Sequence, residues 1–214
     1  MDKASKILDI VVLAYEGVDE LDLFGAWSVL KKAEDMTPPV AAPVLRVRIA
    51  SAFACVRGSG GVAFDVPARL DVISDARVVV VPGGRGARHA ADDPAIHHAL
   101  IGVIDRGGTL YGICTGSLIV AATGRTKESC LAIHRNKREA LLDFPVNEVR
   151  SGLIRDGQFV TVGGDDSPSV KSVDLALTVL QDFAPYAVAP VSSRMEIVVG
   201  RKVSFSHAVA LAAS

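Results

Sequence analysis

Short apolar runs of strand-like composition alternate along this chain with longer segments whose apolar residues recur at helical spacing. This alternation limits the possible folds more than any other feature, because strands joined by helices pair in parallel and bury both faces of the sheet. The run VVVV at residues 78–81, followed by Pro82, Gly83 and Gly84, is typical of a buried central strand that ends in a tight loop. The sequence therefore predicts an α/β fold with a doubly wound, mostly parallel sheet and helices on both faces.

The bounds of the elements follow from the same periodicities. Because 214 residues fit one such domain, we predict a domain over residues 1–190 and an extension over residues 191–214 that packs on it or on a partner subunit. Pro185 and Pro190 predict that the chain leaves its last long helix there. Strands are predicted at 7–14, 45–52, 78–81, 109–113, 146–149 and 159–162, a hairpin at 55–66, and helices at 21–33, 94–106 and 169–183.

The composition excludes several classes of function. The chain has 23 basic and 24 acidic side chains and no basic block, so we expect no nucleic-acid partner. No apolar run reaches the ~20 residues of a membrane span, and the first residues do not form a secretory signal. The three cysteines lack the spacing of a disulfide framework or a zinc site. We therefore expect a cytoplasmic protein without a metal ion or cofactor.

Residues 107–124, GGTLYGICTGSLIVAATG, predict a nucleophile at a sharp corner. An apolar run reaches Cys114, and Thr115 and Gly116 then open a segment with helical spacing. A strand that turns directly into a helix lifts the residue at the corner clear of the sheet and places it at the helix N-terminus. The positive end of the helix dipole favours a thiolate there, so we expect a lowered thiol pKa and a reactive Cys114.

A cysteine nucleophile needs a proton acceptor and donors for the negative charge that develops on its substrate. The backbone N–H groups of Thr115 and Gly84 are the candidate donors, and glycine at both Gly83 and Gly84 lets the backbone approach a substrate closely. The candidate proton acceptors are Asp22, which follows the first strand, and His134, which follows a short apolar run. In a parallel sheet these residues share the edge formed by the carboxyl ends of the strands.

Each of these residues also has an ordinary structural interpretation. Cys114 fits an inert, buried hydrophobe, Asp22 fits a helix N-cap, and His134 fits a loop histidine that makes local hydrogen bonds. The other candidates are given structural roles: His89, His97 and His98 as solvated side chains, Cys55 and Cys130 as structural cysteines, and Asp165 and Asp166 as turn and cap residues.

Several segments together resemble the DJ-1/PfpI superfamily: ELDLFGAWSVL at 20–30, VVVVPGGRG at 78–86, the corner at 107–124, His134, and TVGG…VDLALTVL at 161–180. The resemblance implies a flavodoxin-like α/β sandwich, commonly a homodimer, with a reactive cysteine and a nearby acidic residue. ICTGS and LDLFG are most similar to the isocyanide hydratase branch and to the ligand-sensing domain of AraC-type regulators. The hydratase branch implies Asp22 as the acidic partner, Thr115 as the residue after the nucleophile, and His134 as the family histidine.

Three segments depart from the hydratase pattern. Arg135 follows His134 where a tryptophan is usual, and residues 124–130, GRTKESC, replace a leucine-rich turn. The glycine-rich stretch after the last strand has become GGDDSPSVKSVD at 163–174, which puts charged residues where the family has small ones near the site. These departures leave Cys114 and Asp22 in place but change the surroundings that select a substrate.

The resemblance implies a cysteine-dependent hydratase or hydrolase that attacks a small electrophile, forming a thioimidate if the substrate is an isocyanide. One alternative is a ligand- or redox-sensing protein related to AraC-type regulators but without their DNA-binding domain, because no helix-turn-helix pattern follows residue 183. Another is a glyoxalase-type, amidase or peptidase member of the superfamily. In each case we expect a homodimer that binds neither nucleic acid nor membrane.

Overall fold

The valine run predicted at residues 78–81 is the central strand of a seven-stranded sheet, and its four side chains are completely buried. The computed structural model describes residues 7–40, 42–164 and 170–197. The order across the sheet is β10-β11-β7-β6-β1-β2-β5. Its strands are β1 (Ile7–Leu13), β2 (Val44–Ser51), β5 (Ala68–Arg69), β6 (Val78–Val81), β7 (Thr109–Ile113), β10 (Leu153–Asp156) and β11 (Phe159–Val162).

All neighbouring strands of this sheet run parallel except β10 and β11. The carboxyl ends of β1, β6 and β7 therefore meet at one edge, where the loops that follow them hold the predicted site residues. Two small sheets lie outside the main one. They pair β3 (Cys55–Arg57) with β4 (Ala63–Asp65) as the predicted hairpin, and β8 (Cys130–Ala132) with β9 (Glu148–Arg150).

The helices form two groups that cover the two faces of the sheet. In one group α1 packs against α6 and α7, and in the other α4 packs against α2, α3 and α5. This arrangement confirms the predicted α/β class and the mostly parallel sheet. The helices are α1 (Glu20–Glu34), α2 (Ala87–Ala90), α3 (Pro94–Asp105), α4 (Gly116–Ala122), α5 (Arg138–Leu142), α6 (Lys171–Phe183) and α7 (Pro185–Arg194).

Two predicted segments differ from the structure. The strand predicted at 146–149 begins at Glu148 and pairs with β8 outside the main sheet, while the unpredicted, half-exposed β10 takes the edge position. The chain leaves the long helix α6 at Phe183, as predicted, but an unpredicted helix α7 begins at Pro185, because a proline in the first turn of a helix needs no N–H donor. The predicted domain boundary at residue 190 falls inside α7, and residues 198–214 of the predicted extension lie outside the described residues.

Within the described ranges, the structure has no helix that combines the length and apolar character needed to cross a bilayer.

Candidate active site

Cys114 stands at the predicted corner, between the last residue of β7 and the first turn of α4. Its φ angle is +56°, a left-handed conformation that costs a side-chain-bearing residue free energy and that proteins keep mainly at functional positions. Its backbone N–H donates to the carbonyl oxygen of Val162 at 2.9 Å, which anchors the corner to β11. The sharp strand-to-helix turn predicted from the sequence is therefore confirmed.

Asp22 lies in the first turn of α1 and is completely buried. The interpretation of Asp22 as the helix cap is wrong, because Asp19 caps α1 and its Oδ1 accepts the backbone N–H of Asp22 at 3.0 Å. The carboxylate of Asp22 points to the loop after β6, where its Oδ2 accepts the N–H of Gly83 at 3.2 Å. A carboxylate with no solvent exposure must obtain its stabilisation from such neighbours.

Gly83 shows how close the acidic residue lies to the cysteine. A Cβ atom built on Gly83 would stand 2.8 Å from Asp22 Oδ2 and 2.8 Å from Cys114 Cβ. These two atoms are therefore separated by no more than twice that distance, and the backbone nitrogen of Thr115 lies 2.9 Å from the same Cβ position. Glycine is required at this position because any side chain would push the acid and the nucleophile apart.

Burial dominates the electrostatics of both groups. It raises the pKa of the Cys114 thiol, and the negative charge of Asp22 raises it further, while Lys171 and a hydrogen bond from the Thr115 backbone N–H oppose the shift. The predicted lowering of the thiol pKa is therefore wrong, because burial raises the pKa of Cys114 more than its position at the N-terminus of the short helix α4 lowers it. Burial also raises the pKa of Asp22, against the attraction of Lys171. Asp22 is therefore a stronger proton acceptor than an exposed aspartate.

Lys171, which the sequence interpretation did not single out, is the third charged group of the site. Its Nζ lies 3.2 Å from Asp22 Oδ1, and its side chain is 23% exposed while that of Asp22 is fully buried. The contact is an ion pair outside hydrogen-bond geometry, because Oδ1 accepts no hydrogen bond among the described residues. Burial opposes the charge of Lys171, yet attraction to Asp22 and Cys114 leaves its pKa above the usual value. The signal in the sequence that pointed to Lys171 was the group of charged residues in segment 163–174.

Replacing Lys171 with methionine should slow alkylation of Cys114 by iodoacetamide at pH 7 roughly fivefold, because the thiolate loses a stabilising cation. The pH dependence of the alkylation rate should move to higher pH, since Lys171 holds the pKa of Cys114 down. A purely structural role would leave this pH profile in place. The exposed Lys127→Met variant is the matched control, and an unchanged profile for Lys171→Met would rule out the charge effect.

The hydroxyl of Thr115 links the loops after β6 and β7. Its Oγ1 accepts the N–H of Gly84 at 2.9 Å and donates to the carbonyl oxygen of Gly84 at 3.1 Å. The predicted donor at Gly84 is therefore already engaged in this structure, and the N–H of Gly83 is engaged by Asp22. The Thr115 N–H, directed to the sulfur of Cys114, is the remaining predicted donor next to the nucleophile.

His134 lies half-buried on the wall of the same cavity as Cys114. Its Nδ1 accepts the backbone N–H of Asn136 at 3.2 Å, which begins the short 3-10 turn Arg135–Lys137. A neutral imidazole that accepts at Nδ1 carries its proton on Nε2, so His134 has no free acceptor nitrogen in this state. This arrangement favours a donor over a base, and Asp22 is the other candidate proton acceptor.

The cavity has a volume of about 790 Å³ and opens over Cys114. Thr115, Gly84 and His134 line it, while Asp22 and Gly83 lie buried behind this wall. Within the described part of the chain, no three metal-binding side chains of His, Cys, Asp or Glu come together. The structure thus brings all six predicted site residues to one edge of the sheet.

The remaining predicted cysteines and histidines lie elsewhere. Cys55, predicted to be a structural cysteine, is exposed on the hairpin, and Cys130 is half-buried with its sulfur 3.7 Å from Glu148 Oε2. His89 and His98 are exposed, whereas His97 Nε2 lies 2.5 Å from the carbonyl oxygen of Ala91. Asp165, Asp166 and the predicted helix start at residue 169 lie outside the described residues.

Comparison with known proteins identifies the family. The sequence profile of the DJ-1/PfpI family matches residues 8–176. The chain belongs to the DJ-1/PfpI family. One curated relative is isonitrile hydratase of Pseudomonas putida, 26% identical over 185 residues that cover 82% of this chain and 72% of that protein.

Solved structures of DJ-1/PfpI proteins share the fold. DJ-1beta of Drosophila melanogaster has a TM-score of 0.76 at 20% identity, covering 91% of this chain and 100% of that one. A ThiJ/PfpI family protein of Pseudomonas syringae has a TM-score of 0.78 at 21% identity, covering 94% of this chain and 79% of that one. These likenesses confirm the predicted flavodoxin-like architecture.

Proposed function

We propose that this DJ-1/PfpI protein is a cysteine-dependent hydratase or hydrolase of small electrophiles, with isocyanides as the first substrate class to test. The observation that carries the proposal is the placement of Cys114 Cβ and Asp22 Oδ2 on either side of Gly83, beneath a cavity of about 790 Å³. A nucleophile, a buried base of raised pKa and space for a small molecule then occupy one site. The likeness to isonitrile hydratase supports the choice of substrate class.

The first step uses the pair as nucleophile and base. Asp22 takes the proton of the Cys114 thiol as the sulfur bonds to the terminal carbon of the isocyanide, and the same proton then passes to that carbon. The product is a thioimidate, with the former isocyanide carbon bonded to sulfur, hydrogen and nitrogen. Lys171 stabilises the carboxylate before it accepts the proton, and the Thr115 N–H stabilises the developing charge.

The second step restores the thiol. A water molecule adds its oxygen to the thioimidate carbon, with Asp22 accepting one of its protons and the substrate nitrogen receiving the other. The carbon–sulfur bond then breaks and the proton held by Asp22 returns to sulfur. The net reaction joins one water to one isocyanide and yields an N-substituted formamide, so no oxidant or reductant is consumed.

Mass spectrometry tests this proposal directly. Wild-type protein incubated with an aliphatic isocyanide should form the N-substituted formamide, and rapid acid quenching should trap an adduct of isocyanide mass on the peptide that contains Cys114. The Cys114→Ala variant should form neither, while the Cys55→Ala variant, altered at an exposed thiol outside the cavity, should behave as wild type. Formamide production by Cys114→Ala, or no adduct and no turnover with any of a panel of isocyanides, aldehydes and nitriles, would overturn the proposal.

The alternative functions receive less support from the geometry. A redox sensor needs a readily ionised, accessible thiol, and burial raises the pKa of Cys114 while leaving it half-buried. A peptidase needs a histidine free to accept the thiol proton, and His134 already accepts a hydrogen bond at Nδ1. No observation favours a redox sensor or a peptidase over a reaction that uses Cys114 and Asp22.

We also propose a cytoplasmic homodimer. The three cysteines are all free thiols, as a reducing compartment requires. Leu21 and Val62 are 58% and 55% exposed, and we propose that a second copy of the chain covers these two side chains. Sedimentation velocity should show a species of twice the 22.4 kDa chain mass, and a monomer at micromolar concentration would contradict the dimer.

A further inference from the structure

The walls of the cavity over Cys114 carry an excess of positive charge. Two carboxylates line it, those of Asp19 and Glu20, against four cationic side chains. The cations are those of Arg85, Arg88, Lys137 and Lys171. Because the formal charge of the whole chain is −1, this local excess is not a property of the protein surface in general.

The two carboxylates are occupied by backbone donors. Asp19 Oδ1 accepts the N–H of Asp22, as the cap of α1. Both oxygens of Glu20 accept the N–H of Gly60, at 2.9 and 3.0 Å, and Oε1 also accepts the N–H of Val62 at 3.3 Å. These bonds hold the hairpin loop against α1, and Arg85 also helps to lower the pKa of Glu20. Four cations therefore face two carboxylates, which leaves a net excess of two positive charges on the walls.

The cations, in contrast, are largely available to a ligand. Arg85 and Lys137 are exposed and form no ion pair with any residue that the structure describes. Arg88 lies 3.6 Å from Asp143, but the two side chains are 60% and 65% exposed, and such a solvated pair is readily exchanged. Of the four, only Lys171 forms an ion pair with a buried carboxylate, that of Asp22. Three of the four cations can therefore turn toward a bound anion.

We infer that the substrate is a small organic anion, in which a carboxylate is joined to the electrophilic group that Cys114 attacks. This inference rests on the proposed function, since it names the class of electrophile used by the same site. Arg85, Arg88 and Lys137 bind the carboxylate, and a cavity lined by one sign of charge raises the local concentration of the opposite ion. The reactive carbon of the same molecule then reaches the sulfur at the corner.

Iodoacetate and iodoacetamide test the charge preference because they share the alkylating carbon and the iodide leaving group and differ by one negative charge. The measurement is the rate constant for each reagent at Cys114, taken from peptide mass spectra at low salt. Cys55 on the same molecule serves as the reference, because it is exposed and lies outside this cavity. The iodoacetate-to-iodoacetamide rate ratio at Cys114 should exceed the same ratio at Cys55 by about tenfold. In 0.5 M salt the ratio at Cys114 should fall toward that at Cys55, because the screening length is then only ~4 Å.

Removing the two unpaired cations should abolish the preference. The R85A/K137A variant is expected to bring the rate ratio at Cys114 to that at Cys55, while the matched R69A/K127A variant, which removes the same charge from exposed positions outside the cavity, should keep it. A wild-type ratio at Cys114 equal to or below that at Cys55 would overturn the anionic substrate alone. Failure of Cys114 to react with either reagent, with Cys55 labelled normally, would overturn the proposed function and this inference with it.

Discussion

The Asp22→Asn variant is expected to lose about 10²–10⁴-fold in turnover while its Cys114 is alkylated by iodoacetamide at pH 7 at least as fast as in the wild type. Asparagine keeps the size of the side chain and an oxygen for the N–H of Gly83, but it cannot accept the thiol proton. The missing negative charge also lowers the pKa of Cys114, because the Asp22 carboxylate holds it up. Catalysis and thiol reactivity should therefore change in opposite directions.

This split distinguishes a base from a structural residue. A variant that merely distorted the corner would slow both turnover and alkylation, and turnover within a few-fold of the wild type would show that Asp22 does not carry the proton. Asp93→Asn is the matched control, because Asp93 accepts two backbone N–H bonds as the cap of α3 and asparagine caps a helix equally well. Its turnover should equal that of the wild type.

Replacing Gly116 with alanine should lower the free energy of unfolding by roughly 3 kcal/mol, since the added Cβ would overlap the backbone carbonyl groups of Val81 and Pro82. Backbone atoms of the central strand cannot move aside as a flexible side chain does. For a chain of this size the melting temperature should fall by about 10 °C. Thermal unfolding followed by circular dichroism gives both quantities.

Gly102→Ala provides the matched comparison within another helix. A Cβ there meets the guanidinium end of Arg106, at 3.3 Å from one of its nitrogens, and that side chain is free to shift. Because alanine favours a helix over glycine, the variant should be as stable as the wild type or more stable by up to about 1 kcal/mol. Equal melting temperatures for Gly116→Ala and the wild type would contradict the close approach of α4 to the end of β6.

Local patterns in the sequence were sufficient to predict five of the seven strands of the main sheet, the corner and the edge of the sheet at which the site lies. The VVVV run and the apolar spacing around Cys114 are signals of a few consecutive residues, and the structure confirms both. The strand predicted at residues 146–149 begins only at Glu148 and lies outside the main sheet, and its pairing was not predictable because a largely exposed strand has no clear apolar period.

Contacts between distant segments were not predictable in the same way. Lys171 reaches Asp22 from the start of α6, which packs against α1 but lies far along the chain from it, and no local pattern in the sequence predicts such a contact. The direction of the Cys114 pKa shift depends on how deeply the whole fold buries the thiol, so the helix dipole alone predicted the wrong sign. The hydrogen bond between Thr115 and Gly84 was likewise not predictable, because it depends on how closely the loops after β6 and β7 approach each other in the fold.

The order of the strands separates the residues of the proposed reaction from those of the proposed substrate selectivity. Asp22, Gly83 and Cys114 follow β1, β6 and β7, three adjacent strands whose shared hydrogen bonds fix their relative positions. Arg85 and Lys137 instead stand on exposed loops at the rim, and their side chains can be exchanged without disturbing the core. We therefore expect that substitutions at these exposed positions can change the molecule that the proposed site accepts, while Asp22, Gly83 and Cys114 keep their relative positions.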